Sequence, residues 1–165
     1  MPRDPHVLHR GHAPTPFTAD EIRDGSPAGK TVRVRIEEDG SPPRIRQTRF
    51  VEVDAEGSVQ EYSEFDLDGR PLGAPERRRS RWLDLQDHAS SPAAATTITR
   101  EVIESPLGSL DCSHYRVVHD DEVHLLWFAD AIPGMPVRLH VEAGSRVVYR
   151  SEMIERSGTS DPATG

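Results

Sequence analysis

Apolar and polar residues alternate with a period of two through most of this chain, the signature of strands that bury one face. The alternation is sharpest in TVRVRIE, where Val32, Val34 and Ile36 point one way and Arg33, Arg35 and Glu37 the other. The turn-forming run Glu38-Asp39-Gly40-Ser41-Pro42-Pro43 leads into a strand over 45–54, and Asp54-Ala55-Glu56-Gly57 leads into another over 59–65. Both carry polar residues on each face, which places them towards a sheet edge. Further strands are predicted over 96–104, 110–119, 122–128, 137–142 and 146–156, the last two joined by a turn at Ala143-Gly144-Ser145.

The densest apolar pattern lies between Pro106 and Val137. Branched and aromatic residues flank Asp120-Asp121, which predicts a hairpin. With the turn centred there, Cys112 faces Ala129, His114 faces Trp127, Arg116 faces Leu125 and Val118 faces Val123. The other side pairs Ser113 with Phe128, Tyr115 with Leu126 and Val117 with His124. Both faces are partly apolar, so this hairpin is expected at the centre of the sheet with material packed on each side. Pro133-Gly134-Met135-Pro136 then reverses the chain.

The run Ser105-Pro106-Leu107-Gly108, then Asp111-Cys112 and Tyr115, then Trp127-Phe128-Ala129 and Pro133-Gly134-Met135-Pro136-Val137 resembles a C-terminal segment of bacterial β-sheet proteins of unassigned activity. Those are similar in appearance to the curved half-barrels of the periplasmic lipoprotein-carrier class. The resemblance implies a curved sheet and brings no catalytic residue set with it. It departs from the carrier class in lacking an export signal.

Two short helices interrupt the strands. Thr18 and Glu21 are spaced as a capping box, with Phe17 and Ile22 as the hydrophobic staple, and Gly25, Pro27 and Gly29 end the helix. A second helix is predicted from about Arg81 to Ala89, capped by Ser80, with Trp82, Leu85 and Ala89 as its apolar stripe. Arg77, Arg78, Arg79 and Arg81 precede it in what reads as a loop. Arginines at a helix N-terminus oppose the macrodipole, so Arg77, Arg78 and Arg79 are candidates for anion binding, set against a solvated charge run.

Residues 1–16 lack periodicity and read as a flexible tail. His6, His9 and His12 have metal-ligand spacing but no predicted scaffold, so no metal site is assigned. Glu64, Asp66, Asp68 and Gly69 mimic half of a calcium loop. Pro75 stands where the closing glutamate belongs, so the segment reads as a solvated turn. Residues 90–95 read as a linker and 157–165 as a disordered tail.

A chain of 165 residues with 35% hydrophobic and 5% aromatic content fits one domain, over 17–156, with a modest core. Fourteen prolines and twelve glycines favour turns over long helices. A net charge of −8 argues against nucleic-acid binding, which needs a basic surface. One cysteine excludes an intrachain disulfide, the start has no apolar export region, and no run is long enough for membrane insertion. The sequence thus reads as a bacterial cytoplasmic protein needing no cofactor, with its oligomeric state open. Lysine occurs once, at Lys30, against nineteen arginines, a usage that reflects genome composition.

Catalytic candidates reduce to Cys112 with His114, two apart on one strand face, where an imidazole could activate a thiol. No nucleophile signature surrounds them, and buried inert cysteines are ordinary. The sequence is therefore expected to give an all-β domain of about eight antiparallel strands, a curved sheet or partly closed barrel with two short helices. Its expected function is binding of a small apolar or amphipathic ligand in the concavity. Trp82, Tyr115, Leu125, Trp127 and Phe128 are the candidate lining, and His114 or Cys112 the polar contact. The alternatives are a small hydrolase or transferase using Cys112 and His114, and an interaction module using a sheet edge or the arginine cluster.

Overall fold

The computed structural model describes residues 3–158. In chain order they form helix α1 (Ala19–Asp24), strands β1 (Thr31–Glu38), β2 (Arg44–Val53), β3 (Gly57–Phe65) and β4 (Glu76–Arg81), and helix α2 (Trp82–Asp87). A 3-10 turn at Ala93–Ala95 precedes β5 (Thr96–Ser105), β6 (Gly108–His119), β7 (Glu122–Ala129), β8 (Arg138–Ala143) and β9 (Arg146–Ser157). All nine strands belong to one antiparallel, curved and open sheet in the order β4-β3-β2-β1-β9-β8-β7-β6-β5. Two meanders, β1 to β4 and β5 to β9, are joined where the last strand pairs with the first.

The hairpin register is the one its turn predicts: Cys112 pairs with Ala129, His114 with Trp127, Tyr115 with Leu126 and Val118 with Val123. Asp120 carries the positive φ of 49° that so tight a reversal needs. The hairpin is not central, however. Strands β6 and β7 lie next to the β5 edge, because β9 returns to the middle and takes the place beside β1.

The described residues form nine strands where about eight were expected, and the strand that patterning did not announce is the arginine run. Glu76–Arg81 has no apolar alternation, but it pairs antiparallel with β3, and Arg77 sits directly across from Glu61. Cross-strand charge pairing supplies what hydrophobic patterning lacks. Helix α2 consequently starts at Trp82, with Arg81 at its N-cap and no side-chain cap, and Ser80 belongs to the strand. The charged β4 also guards an exposed sheet edge against unwanted pairing.

Since β4 and β5 are opposite edges, residues 82–95 must cross the sheet. Eight inter-strand gaps of ~4.8 Å would make a flat sheet about 38 Å wide. The six helical residues of α2 advance only about 9 Å. The remaining eight residues add at most ~28 Å when fully extended, and three of them are coiled in the 3-10 turn. Only a curled sheet lets this segment reach, so α2 comes to lie over the concave face.

Several contacts pin the crossing segment. Trp82 is 3% exposed, stacks on Phe50 with ring centroids 6.3 Å apart, and donates its indole N–H to the carbonyl of Asp54 at 2.9 Å. Gln86 is 2% exposed. Its amide accepts from the backbone N–H of Ala19 at 2.8 Å and donates to Pro5 O at 2.8 Å and Thr15 Oγ1 at 3.0 Å. One side chain thus ties α2 to α1 and to the N-terminal segment. The expected capping box of α1 is present, with Glu21 N–H donating to Thr18 Oγ1 and Thr18 N–H to Glu21 Oε1.

The N-terminal residues expected as a tail make specific contacts: the carbonyl of Pro14 accepts from Tyr115 Oη at 2.6 Å, and Thr15 is 2% exposed. Gly11 and Ala13 exchange backbone hydrogen bonds with Ala93 and Ser91 of the crossing segment. Of the expected C-terminal tail, residues 159–165 lie outside the described residues.

Replacing Gln86 by leucine keeps its volume and removes all three hydrogen bonds. Each buried group left unpaired costs about 1–3 kcal/mol. Urea denaturation should show a loss in that range or above; an unchanged midpoint and slope would contradict the pinning role.

Candidate functional site

Under α1 and α2 the concave face forms a cavity of about 260 Å³, open to solvent at one mouth. Its floor follows from strand register. Val32 of β1 lies across from Thr48 of β2, which lies across from Tyr62 of β3, while Phe50 pairs with Gln60. These side chains point the same way and line the cavity with Leu126 and Phe128 of β7. Ile22 comes from α1, Leu85 and Ala89 from α2 and its C-terminal turn, and the Gly134-Met135-Pro136 reversal closes the wall. The exposed lining residues, His88 and Met135, mark the mouth.

The polar groups of this apolar chamber are few. Tyr62 Oη donates to Gln60 Oε1, and Gln60 Nε2 donates to Ser58 Oγ at 3.3 Å, so the phenol and amide engage each other. Burial raises the Tyr62 pKa, which keeps the phenol protonated at neutral pH.

The exception is Lys30, which is 4% exposed. Its backbone extends the β1–β2 ladder, with Gly29 N–H donating to Phe50 O and Phe50 N–H to Lys30 O, and this aims the side chain into the cavity. The ammonium reaches only Ser26 Oγ and Pro133 O, each at 3.4 Å, beyond the usual 2.7–3.2 Å range. It lies 5.4 Å from the centre of the Phe50 ring. No carboxylate forms an ion pair with it among the described residues. Burial, helped by the positive charge of Arg156, brings its pKa down from 10.5 to about 8. At neutral pH the cavity therefore holds a protonated cation without a counter-charge among the described residues.

The sequence-predicted lining divides between places. Phe128 lines the cavity. Trp82 and Tyr115 share its apolar cluster, with Phe17, Ile22, Phe50 and Val117, but do not line the space. Tyr115 is a structural tie to Pro14, its phenol pushed up to about 12 by burial. Leu125 and Trp127 project from the opposite side of β7, where Trp127 stacks on His114 at 4.3 Å and donates to Glu101 Oε2 at 3.1 Å. Lys30, Phe50, Gln60, Tyr62 and Leu126 also line the cavity and were not among the residues expected there. A signal for Lys30 existed: it is the one lysine of an arginine-rich chain and stands directly before the strongest strand.

The Cys112 and His114 side chains share a strand face but do not engage each other. The thiol is wholly buried and donates to Leu110 O at 3.7 Å, and burial pushes its pKa up, against thiolate formation. His114 Nδ1 donates instead to Leu126 O at 3.1 Å. The candidate anion-binding arginines already have partners: Arg77 with Glu61, Arg78 with Glu76 and Arg79 with Asp54, at 3.0, 3.2 and 2.9 Å. His6, His9 and His12 turn to Thr15, Asp87 and Ser90 respectively. Asp66 Oδ1 accepts from the backbone N–H groups of Asp68 and Arg70, a turn closed by its own side chain. No group of three or more metal-ligating side chains assembles among the described residues. No described helix is long and apolar enough to cross a membrane.

No protein-family model and no curated protein sequence matches the chain. Among solved structures it is similar to the hypothetical protein CT021 from Chlamydia trachomatis, with a TM-score of 0.53 and 11% identity over 88% of this chain and 93% of that one. At that identity the likeness is one of fold.

Folding lowers the Lys30 pKa from 10.5 to about 8. Between those values the unfolded chain binds more protons than the folded one, so this residue makes stability rise with pH across that window. Below about 8 its full cost is present, about 3 kcal/mol at ~1.4 kcal/mol per pH unit. Lys30→Met should therefore exceed the parent in stability at pH 7 by up to about 3 kcal/mol, with the advantage fading towards pH 10.5. Urea melts of both proteins across that range measure it, and a difference independent of pH would contradict the assignment.

Proposed function

We propose that this protein binds a small apolar or amphipathic molecule in the cavity beneath its two helices. The observation that carries the reading is the space of about 260 Å³, open at one mouth and walled by Ile22, Val32, Phe50, Leu85, Leu126 and Phe128. Interiors ordinarily pack to the density of organic crystals, so apolar side chains that line an open pocket of this size instead of packing against one another leave room for a guest. It approaches the lower limit of ~300 Å³ for typical small-molecule sites, and a few polar groups among apolar walls is their usual make-up. A nucleophilic mechanism at Cys112 is less well supported, since its thiol is sealed from solvent and has no hydrogen bond to an imidazole.

Native mass spectrometry tests the binder reading. Gently purified protein should carry extra mass that is lost on denaturation; if it purifies empty, it should take up one equivalent of octan-1-ol. Ala89 borders the space, so Ala89→Phe, which fills it, should lower that uptake at least tenfold while the protein remains folded. Absence of retained mass together with absence of uptake by the parent protein would remove the reading.

A further inference from the structure

We propose that the bound molecule is a short single-chain amphiphile with an anionic head, carboxylate or phosphate, whose charge pairs with the ammonium of Lys30. This rests on the cavity-binder reading and names the ligand class. A buried cation is costly unless paired, and buried charges in proteins normally find a partner. Here none is supplied by the described residues: Lys30 has two long contacts, to Ser26 Oγ and Pro133 O at 3.4 Å, and an aromatic face at 5.4 Å. An ammonium has three donors, so at least one remains for an incoming oxygen. The arginines on the β4 edge differ in this respect, since each has its own carboxylate.

The position of the charge sets the orientation of the ligand. Pro133, whose carbonyl Lys30 approaches, is followed by Gly134 and Met135 at the mouth. The walls beyond are Ile22, Val32, Phe50, Leu126 and Phe128. An anionic head at Lys30 would sit near the entrance with the chain directed among those side chains. The volume of about 260 Å³ corresponds to roughly nine water-sized groups at ~30 Å³ each. That is the scale of an eight-carbon chain. Lysine rather than arginine suits this place, because a point charge on a flexible stem can follow a head group and is the cation whose pKa yields to burial.

The test compares octanoate, octyl phosphate and octan-1-ol by isothermal titration calorimetry at pH 7. At least one anion should bind tenfold or more tightly than the alcohol, and the tighter anion identifies the head group. Lys30→Met should abolish that preference while still binding octan-1-ol. Equal or tighter binding of the alcohol by the parent overturns the inference and leaves the cavity reading intact; an anion preference that survives in Lys30→Met also overturns it. Failure of all three to bind the parent sinks the cavity reading and the inference together.

A second readout does not depend on the variant. Lysine labelled with carbon-13 gives one side-chain Cε signal in this chain, since Lys30 is its sole lysine. The signal should titrate near 8 in the free protein, move upwards with the tighter anion, and stay in place with octan-1-ol. A midpoint unmoved by either anion overturns the pairing.

Discussion

The segment between β4 and β5 starts at one edge of the sheet and ends at the other, and that crossing is the constraint on which the architecture depends. Its fourteen residues are too few to span nine flat strands, so the sheet has to curl. Curling creates a concave face, and the crossing segment supplies its cover. Trp82 and Gln86 then fix that cover in place, the first through Phe50 and Asp54, the second through α1 and the N-terminal residues. The cover is held at its ends and flanks, and a space remains beneath its C-terminal turn.

Within that space the chain keeps a charge it could have avoided. A leucine or methionine at position 30 would preserve the apolar wall without the cost of desolvating an ammonium. Every arginine of the β4 run is matched by a neighbouring carboxylate, whereas the lone lysine is matched by none among the described residues. In the proposed reading, destabilisation of the free protein and recognition of the ligand are one effect: the counter-charge that the described residues do not supply arrives with the guest. Occupancy and stability should then be coupled, since a ligand that binds only the folded state stabilises it by mass action.

Most of the architecture was legible where local patterning decides structure. The alternation of Val32, Val34 and Ile36 marked β1, the Thr18 and Glu21 spacing marked α1, and Asp120-Asp121 set the hairpin register residue by residue. What patterning left out was long-range. Nothing local in Glu76–Arg81 announces a strand, because its pairing is secured by Glu61 and Asp54 on neighbouring parts of the sheet. The place of the hairpin near one edge depended on where β9 inserts, a choice made between distant segments. The same limit affected the site. Large aromatics drew attention to Trp127, yet side-chain alternation sends Trp127 to one side of β7 and Leu126 and Phe128 to the other. Lys30 reaches the cavity only because Phe50 pairs with its backbone, a contact invisible in the local sequence.

The position that an anionic amphiphile takes decides whether Lys30 is its partner. The most direct measurement is a crystal structure of the protein with 8-bromooctanoate, using the anomalous signal of bromine to locate the chain end. Bromine is expected among Phe50, Leu126 and Phe128, with a carboxylate oxygen within hydrogen-bond distance of Lys30 Nζ. Bromine outside the cavity, or a carboxylate turned to solvent with Lys30 still unpaired, would contradict it.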